Sequence, residues 1–123
     1  MTLQILDVCF SVCKLPPSAA IDLTLPFVFV GKTDQELSVV LPTDAVPSDT
    51  LEREDGWRAL RFAGQLDFSL IGILSRVASL LAENGISIFA VSTYDTDYIL
   101  MKDIRFEEAV QLLRSSGYRI EIG

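Results

Sequence analysis

The apolar positions of the second half of the chain change period several times, and each change marks an element. Trp57 to Ala63 is rich in aromatic and apolar residues and runs into Gly64, which predicts a strand. A loop over residues 64–70 follows. Leu74, Val77, Ala78 and Leu81 then recur at i, i+3, i+4 and i+7, the stripe of an amphipathic helix. Asp67 or Ser69 is placed to cap its start, and Asn84-Gly85 supplies a left-handed stop. Ile86 to Thr93 predicts a second strand, apolar on both faces and therefore central. Tyr94-Asp95-Thr96-Asp97 turns the chain, and Tyr98 to Lys102 returns as its hairpin partner. Asp103 is placed to cap a second helix with the stripe Phe106, Ala109, Val110 and Leu113, stopped by Ser116-Gly117. Tyr118, Ile120 and Ile122 alternate with Arg119 and Glu121 in a last strand. The order is βαββαβ, an α+β ferredoxin-like plan in which two helices cover one face of an antiparallel sheet.

The first half repeats this plan in reduced form. Leu6, Val8, Phe10 and Val12 alternate with Asp7, Cys9 and Ser11 in a strand stopped by Pro16-Pro17. Ser18 to Asp22 has room for one helical turn. Phe27 to Lys32 and Glu36 to Leu41 flank Thr33-Asp34-Gln35 as a hairpin. Pro42 to Gly56, with a weak helical pattern around Asp44 to Leu51, stands where a second helix belongs. The expected organisation is a reduced half at 1–56 and a complete domain at 57–123. Neither is large enough to stand alone comfortably, so the two should share a core or a sheet.

Composition narrows the chemistry. Half of the 123 residues are hydrophobic, enough for a sizeable core without metal or disulfide staples. The net charge of -7 argues against nucleic-acid binding and against docking on an anionic membrane. There is no histidine. That removes the Ser-His-Asp triad, the Cys-His pair and the histidine-ligated zinc site, so no enzyme activity and no cofactor are expected. An Asp95, Asp97 and Asp103 site for magnesium or calcium lacks any accompanying loop motif. The opening residues do not resemble a signal peptide, and no apolar run approaches the roughly 18 residues of a membrane span. Cys9 and Cys13 lie four residues apart on one extended strand, about 13 Å, too far for a disulfide. Two reduced thiols and a cytoplasmic location are expected.

Gly72-Ile73-Leu74-Ser75-Arg76-Val77-Ala78, followed by Leu81-Ala82-Glu83-Asn84-Gly85-Ile86-Ser87-Ile88, resembles an ACT domain. The run Ser92-Thr93-Tyr94-Asp95-Thr96-Asp97-Tyr98-Ile99-Leu100 is similar to the small tandem ACT proteins related to aspartate kinase regulatory domains and to cytosolic arginine sensors. The resemblance covers 57–123 strongly and 1–56 more loosely. It implies a non-catalytic regulatory or sensor module that binds a small amino acid where paired modules meet. The residue types suit that ligand. The helix start at Leu70, Ile71 and Gly72 offers N–H groups to a carboxylate, and Gly72 permits close approach. Asp67, Asp95 and Asp97 offer acceptors to an ammonium, Ser69, Ser92 and Thr93 add hydroxyls, and Phe68 covers apolar atoms. Each residue also has a plainer role: Asp67 and Ser69 as helix caps, Asp95 and Asp97 as turn chemistry, Gly72 as a packing glycine. A homodimer is expected, because a small βαββαβ unit leaves sheet edges exposed. The alternative is a dimerisation module that binds no ligand.

Overall fold

The computed structural model describes residues 1–63 and 72–123. The strands are β1 (Thr2–Leu15), β2 (Phe29–Lys32), β3 (Leu37–Pro42), β4 (Glu52–Phe62), β5 (Ile88–Ser92), β6 (Asp97–Lys102) and β7 (Arg119–Ile122). Two helices, α1 (Ile73–Glu83) and α2 (Asp103–Ser115), complete a β4-α1-β5-β6-α2-β7 run, the order expected from residue 57 onward. The fold is α+β and ferredoxin-like. The chain divides into two compact units: unit 1 holds Met1–Asp7 with Arg58–Gly123, and unit 2 holds Val8–Trp57. Both breaks fall inside strands, the first in β1 and the second in β4.

In unit 1 the strand order is β7-β1-β4-β6-β5. The start of β1 stands between β7 and β4. It pairs with β7 in parallel, Thr2 against Arg119 through Ile5 against Ile122. On its other side Ala63 donates its N–H to the Thr2 carbonyl at 2.9 Å. This parallel pair makes the sheet mixed where an antiparallel one was expected. Alternate residues of each strand face the helices. Leu3, Leu60, Phe62, Ile99, Met101 and Ile120 meet Val77 and Leu81 of α1 and Phe106, Ala109, Val110 and Leu113 of α2. Among the described residues β5 lies at the end of the order, with β6 beside it. The sequence reading made it a central strand. Its apolar residues, Ile88, Phe89 and Val91, are half-buried, and Ala90 is exposed.

The helix ends follow local rules with two departures. Gly85 (φ 72°) and Gly117 (φ 95°) supply the left-handed stops. The Gly85 and Asn84 carbonyls also receive Arg105 Nη1 and Nη2 at 3.0 and 3.1 Å, tying α2 to the end of α1. Asp103 is the first residue of α2 and makes no capping bond, contrary to expectation. It faces the Arg58 guanidinium at 3.5 Å instead, and that group lies 4.5 Å from the Phe106 ring. α1 is entered through Gly72 (φ 86°), and among the described residues no side chain caps it. The caps expected from Asp67 and Ser69 lie outside the described residues.

Unit 2 packs a β2-β3-β1-β4 order without an α-helix. Cys13, Leu15, Leu37, Val39 and Leu41 form its core, covered by Ala19, Ile21, Val28, Ala45 and Val46 from the connecting segments. Pro16 to Ala19 makes a single turn, with the Ala19 N–H bonded to the Pro16 carbonyl at 2.9 Å. Ser11 is fully buried and bonds the Thr43 hydroxyl at 2.9 Å and the Asp55 carboxylate at 2.5 Å. Arg53 donates to the same carboxylate from Nε and Nη2 at 3.0–3.2 Å.

The two β-hairpins share one geometry, 60 residues apart. Lys32 opposes Leu37 and Phe29 opposes Val40, as Ser92 opposes Asp97 and Phe89 opposes Leu100. Both turns close through a threonine N–H, Thr33 to the Glu36 carbonyl at 2.9 Å and Thr93 to the Thr96 carbonyl at 2.8 Å. Both following segments begin helical turns, at Thr43 and Asp103.

Cys9 is exposed and Cys13 is a core residue, 2% accessible. Burial pushes the Cys13 thiol up from the ordinary thiol range, against a smaller lowering by Arg53. A raised acid keeps its proton in the folded state, so this group withdraws stability only as pH rises beyond the unfolded thiol pKa. At neutral pH one thiol, Cys9, should react promptly with a thiol reagent, and Cys13 only at the unfolding rate. Mass spectrometry of time-resolved labelling checks this; two equally fast thiols would contradict the burial.

Candidate functional site

Among the described residues, the polar groups singled out from the sequence gather at the β5–β6 turn. Ser92 ends β5 and opposes Asp97, the first residue of β6. Thr93, Tyr94, Asp95 and Thr96 form the link between them. Ser92, Thr93 and Asp95 are exposed, Asp97 is half-buried, and Tyr94 projects with 82% of its surface accessible. The Thr93 hydroxyl donates to the Thr96 carbonyl at 3.0 Å, which stiffens the turn. The Asp95 and Asp97 carboxylates and the Ser92 and Thr93 hydroxyls thus share one short, braced segment. Gly72 opens α1 in a left-handed conformation, and among the described residues nothing lies within 4 Å of where a Cβ would stand. Asp67, Phe68, Ser69, Leu70 and Ile71 lie outside the described residues.

Two features of this end were not found from sequence. Thr96 is buried, and its hydroxyl donates to the Phe62 carbonyl at 2.9 Å. That bond fixes the turn to the end of β4, the strand that leads toward α1. Arg61, next along β4, donates from Nε to Gln4 Oε1 at 2.9 Å and lies 6.0 Å from the Tyr98 ring. The threonine carries the only local signal, a small hydroxyl closing a polar turn. The Arg61–Gln4 contact spans 57 positions and leaves no mark on either neighbourhood.

The site offers hydrogen-bond acceptors of both charge states and hydroxyl donors. Among the described residues no three His, Cys, Asp or Glu side chains stand close enough to hold a metal ion. No described helix is long and apolar enough to cross a membrane.

A family model for the ACT domain matches residues 52–115, more than half of the chain. The chain belongs to the ACT-domain family. Among curated relatives, the cytosolic arginine sensor for mTORC1 subunit 1 of Rattus norvegicus is 26% identical over 121 residues. The match takes in 89% of this ACT chain and 37% of the sensor, so the chain spans well under half of that relative's length. Protein Atu0741 from Agobacterium tumefaciens is similar in structure with a TM-score of 0.87 and 34% identity, over 99% of this chain and 92% of that one. Aspartokinase alpha and beta subunits share the fold at a TM-score of 0.64 and 13% identity, over 93% and 91% of the two chains. The aspartate kinase of Clostridium acetobutylicum does so at 0.65 and 11%, over 93% of this chain and 33% of the kinase.

The Thr96–Phe62 bond makes a direct prediction for the ACT unit. Thr96→Val keeps the shape and strips a buried carbonyl of its donor, a loss of about 1–3 kcal/mol. Asp95→Ala, at an exposed position, should stay within about 0.5 kcal/mol of the parent. Urea unfolding of the three chains measures both; equal midpoints for Thr96→Val and the parent would contradict the anchoring role.

Proposed function

We propose that this ACT chain is a non-catalytic regulatory or sensor module that binds a small free amino acid. The observation that carries the reading is the braced turn at Ser92, Thr93, Asp95 and Asp97, which presents carboxylates and hydroxyls from one rigid strand end. Asp95 and Asp97 receive the ligand's ammonium, and Ser92 and Thr93 supply hydroxyls. The start of α1 at Gly72 presents N–H groups to the carboxylate, as helix N-termini do for anions. Asp67, Phe68, Ser69, Leu70 and Ile71 complete the site in this reading. The relative named as an arginine sensor and the fold shared with aspartate kinases support ligand control by an amino acid.

The same reading makes the protein a cytoplasmic homodimer with no nucleic-acid or membrane partner and no cofactor. One observation favours the second reading, a ligand-free dimerisation module. Among the described residues β5 pairs with β6 alone, and the edge of such a strand is a template for pairing with another chain.

Thermal unfolding against the twenty amino acids, each at millimolar concentration, separates the two. A ligand at 100 times its dissociation constant stabilises by about 2.7 kcal/mol, several degrees for a domain of this size. One or two amino acids should raise the midpoint, and Asp97→Ala should remove the response while the protein still unfolds cooperatively. A midpoint that no amino acid moves, in a protein that sediments as a dimer, would establish the assembly reading instead.

A further inference from the structure

The two units build their cores on equivalent hairpins and cover them differently. The hairpin register repeats after 60 residues, so Val39 and Leu41 of unit 2 occupy the positions of Ile99 and Met101 in unit 1. In unit 1 that pair shares a core with α1, whose Val77 and Leu81 are fully buried. In unit 2, residues 16–28 connect the first strand to the hairpin, as α1 does in unit 1. They form no α-helix and reach the core with Ala19, Ile21 and Val28, each only partly buried.

This thinner cover leaves apolar side chains facing outward. Leu23 is 72% exposed and Leu25 39%, both in the segment that replaces the helix. The Asp22 carboxylate receives the Thr24 N–H at 2.9 Å and its hydroxyl at 2.5 Å, which fixes the turn that carries Leu23. Val30 on β2 is 44% exposed. It opposes the core residue Val39, and directly opposed residues share a face, so Val30 lies on the same side of the sheet as the cover.

The charge on this face has one sign. Residues 16–28 and 42–52, which supply the cover, hold Asp22, Asp44, Asp49 and Glu52, all exposed, and no lysine or arginine. Unit 2 as a whole holds eight of the 17 acidic residues and three of the ten basic ones. A second copy of the chain, with its net charge of -7, is repelled by such a surface. Nor do its helices offer a basic face: α1 balances Arg76 against Glu83, and α2 sets Arg105 and Arg114 against Asp103, Glu107 and Glu108.

We infer that this face of unit 2 docks an amphipathic helix of a different protein, with a leucine-rich stripe flanked by lysine or arginine. The stripe lies on Leu23, Leu25 and Val30, as apolar helix faces do in docking grooves. The flanking cations meet Asp22, Asp44 and Asp49, which speeds encounter and sets the helix direction. The partner helix thus takes on unit 2 the place that α1 takes in unit 1. The surface is separate from the Ser92–Asp97 turn and stands whether or not that turn binds a ligand.

Three labelled peptides, titrated with the full chain and followed by fluorescence anisotropy, test this. One is a leucine–lysine peptide with leucines at helical spacing; the second has the same composition with leucines alternating; the third is a leucine–glutamate peptide at helical spacing. The first should bind, and the other two at least about tenfold more weakly. Leu23→Ser changes the more exposed leucine, keeps the fold and should weaken the first peptide; adding Leu25→Ser should bring the loss to at least about tenfold. Asp44→Asn with Asp49→Asn should weaken it and flatten its salt dependence. Glu107→Gln, on α2, should leave it unchanged. The inference is overturned if the helical leucine–lysine peptide does not bind, or if either other peptide binds as tightly. It is equally overturned if the affinity ignores the leucine substitutions or falls as much with Glu107→Gln, since overall charge would then be the attraction. A parent chain that sediments as a dimer, with Leu23→Ser/Leu25→Ser a monomer, would assign the face to a second copy instead.

Discussion

The last strand of the βαββαβ run hydrogen-bonds to the chain's first strand, and unit 1 depends on that pairing. Among the described residues β7 has one partner in the sheet, and it is β1. On its other flank β1 neighbours β4, so residues 2–5 bridge the two ends of the run. Leu3 is fully buried among the helices' apolar side chains, a burial worth roughly 1.5–3 kcal/mol for a leucine. Without this segment β7 would lose its parallel pairing with β1, and the core would lose one wall.

The rigidity created there reaches the candidate site through β4. The same strand pairs with β1, ends at Phe62, and accepts the Thr96 hydroxyl on its last carbonyl. A turn braced in this way spends little conformational entropy when it orders a ligand, which is how strand-end loops commonly carry binding groups. The counterpart hairpin in unit 2 has the same register and a different cover: Ala19, Ile21 and Val28 of an irregular segment where unit 1 has Val77 and Leu81 of α1. One backbone plan supports a helix-covered core in one unit and a thinly covered, acidic face in the other.

The helices were the most legible elements. Both stripes, Val77 and Leu81 in α1 and Phe106 to Leu113 in α2, are the buried faces, and both glycine stops have positive φ. β4 was harder to delimit. It begins at Glu52, in the run Glu-Arg-Glu-Asp, whose exposed charges carry no strand signal. Pairing across to β1 imposes the conformation, as in the Leu51 N–H bond to the Lys14 carbonyl at 2.8 Å. β1 also defeats a simple alternation. Leu6 and Phe10 are buried on one parity and Leu3, Cys13 and Leu15 on the other, because both of its faces are covered at different points. At the site, the residue types of the turn were readable, since Ser, Thr and Asp are turn chemistry and ligand chemistry alike. Its anchor to Phe62, 34 positions away, was not.

Native-state hydrogen exchange at the backbone amides of β1 tests this dependence most directly. If the start of β1 is an integral strand of unit 1, the amides of Leu3 to Ile5 that pair across the sheet exchange only by global unfolding. Their protection then equals that of Ile99 and Leu100 in β6. Exchange of the β1 amides at the rate of exposed turns, with Ile99 and Leu100 still protected, would show that unit 1 holds together without its first strand and would contradict the account.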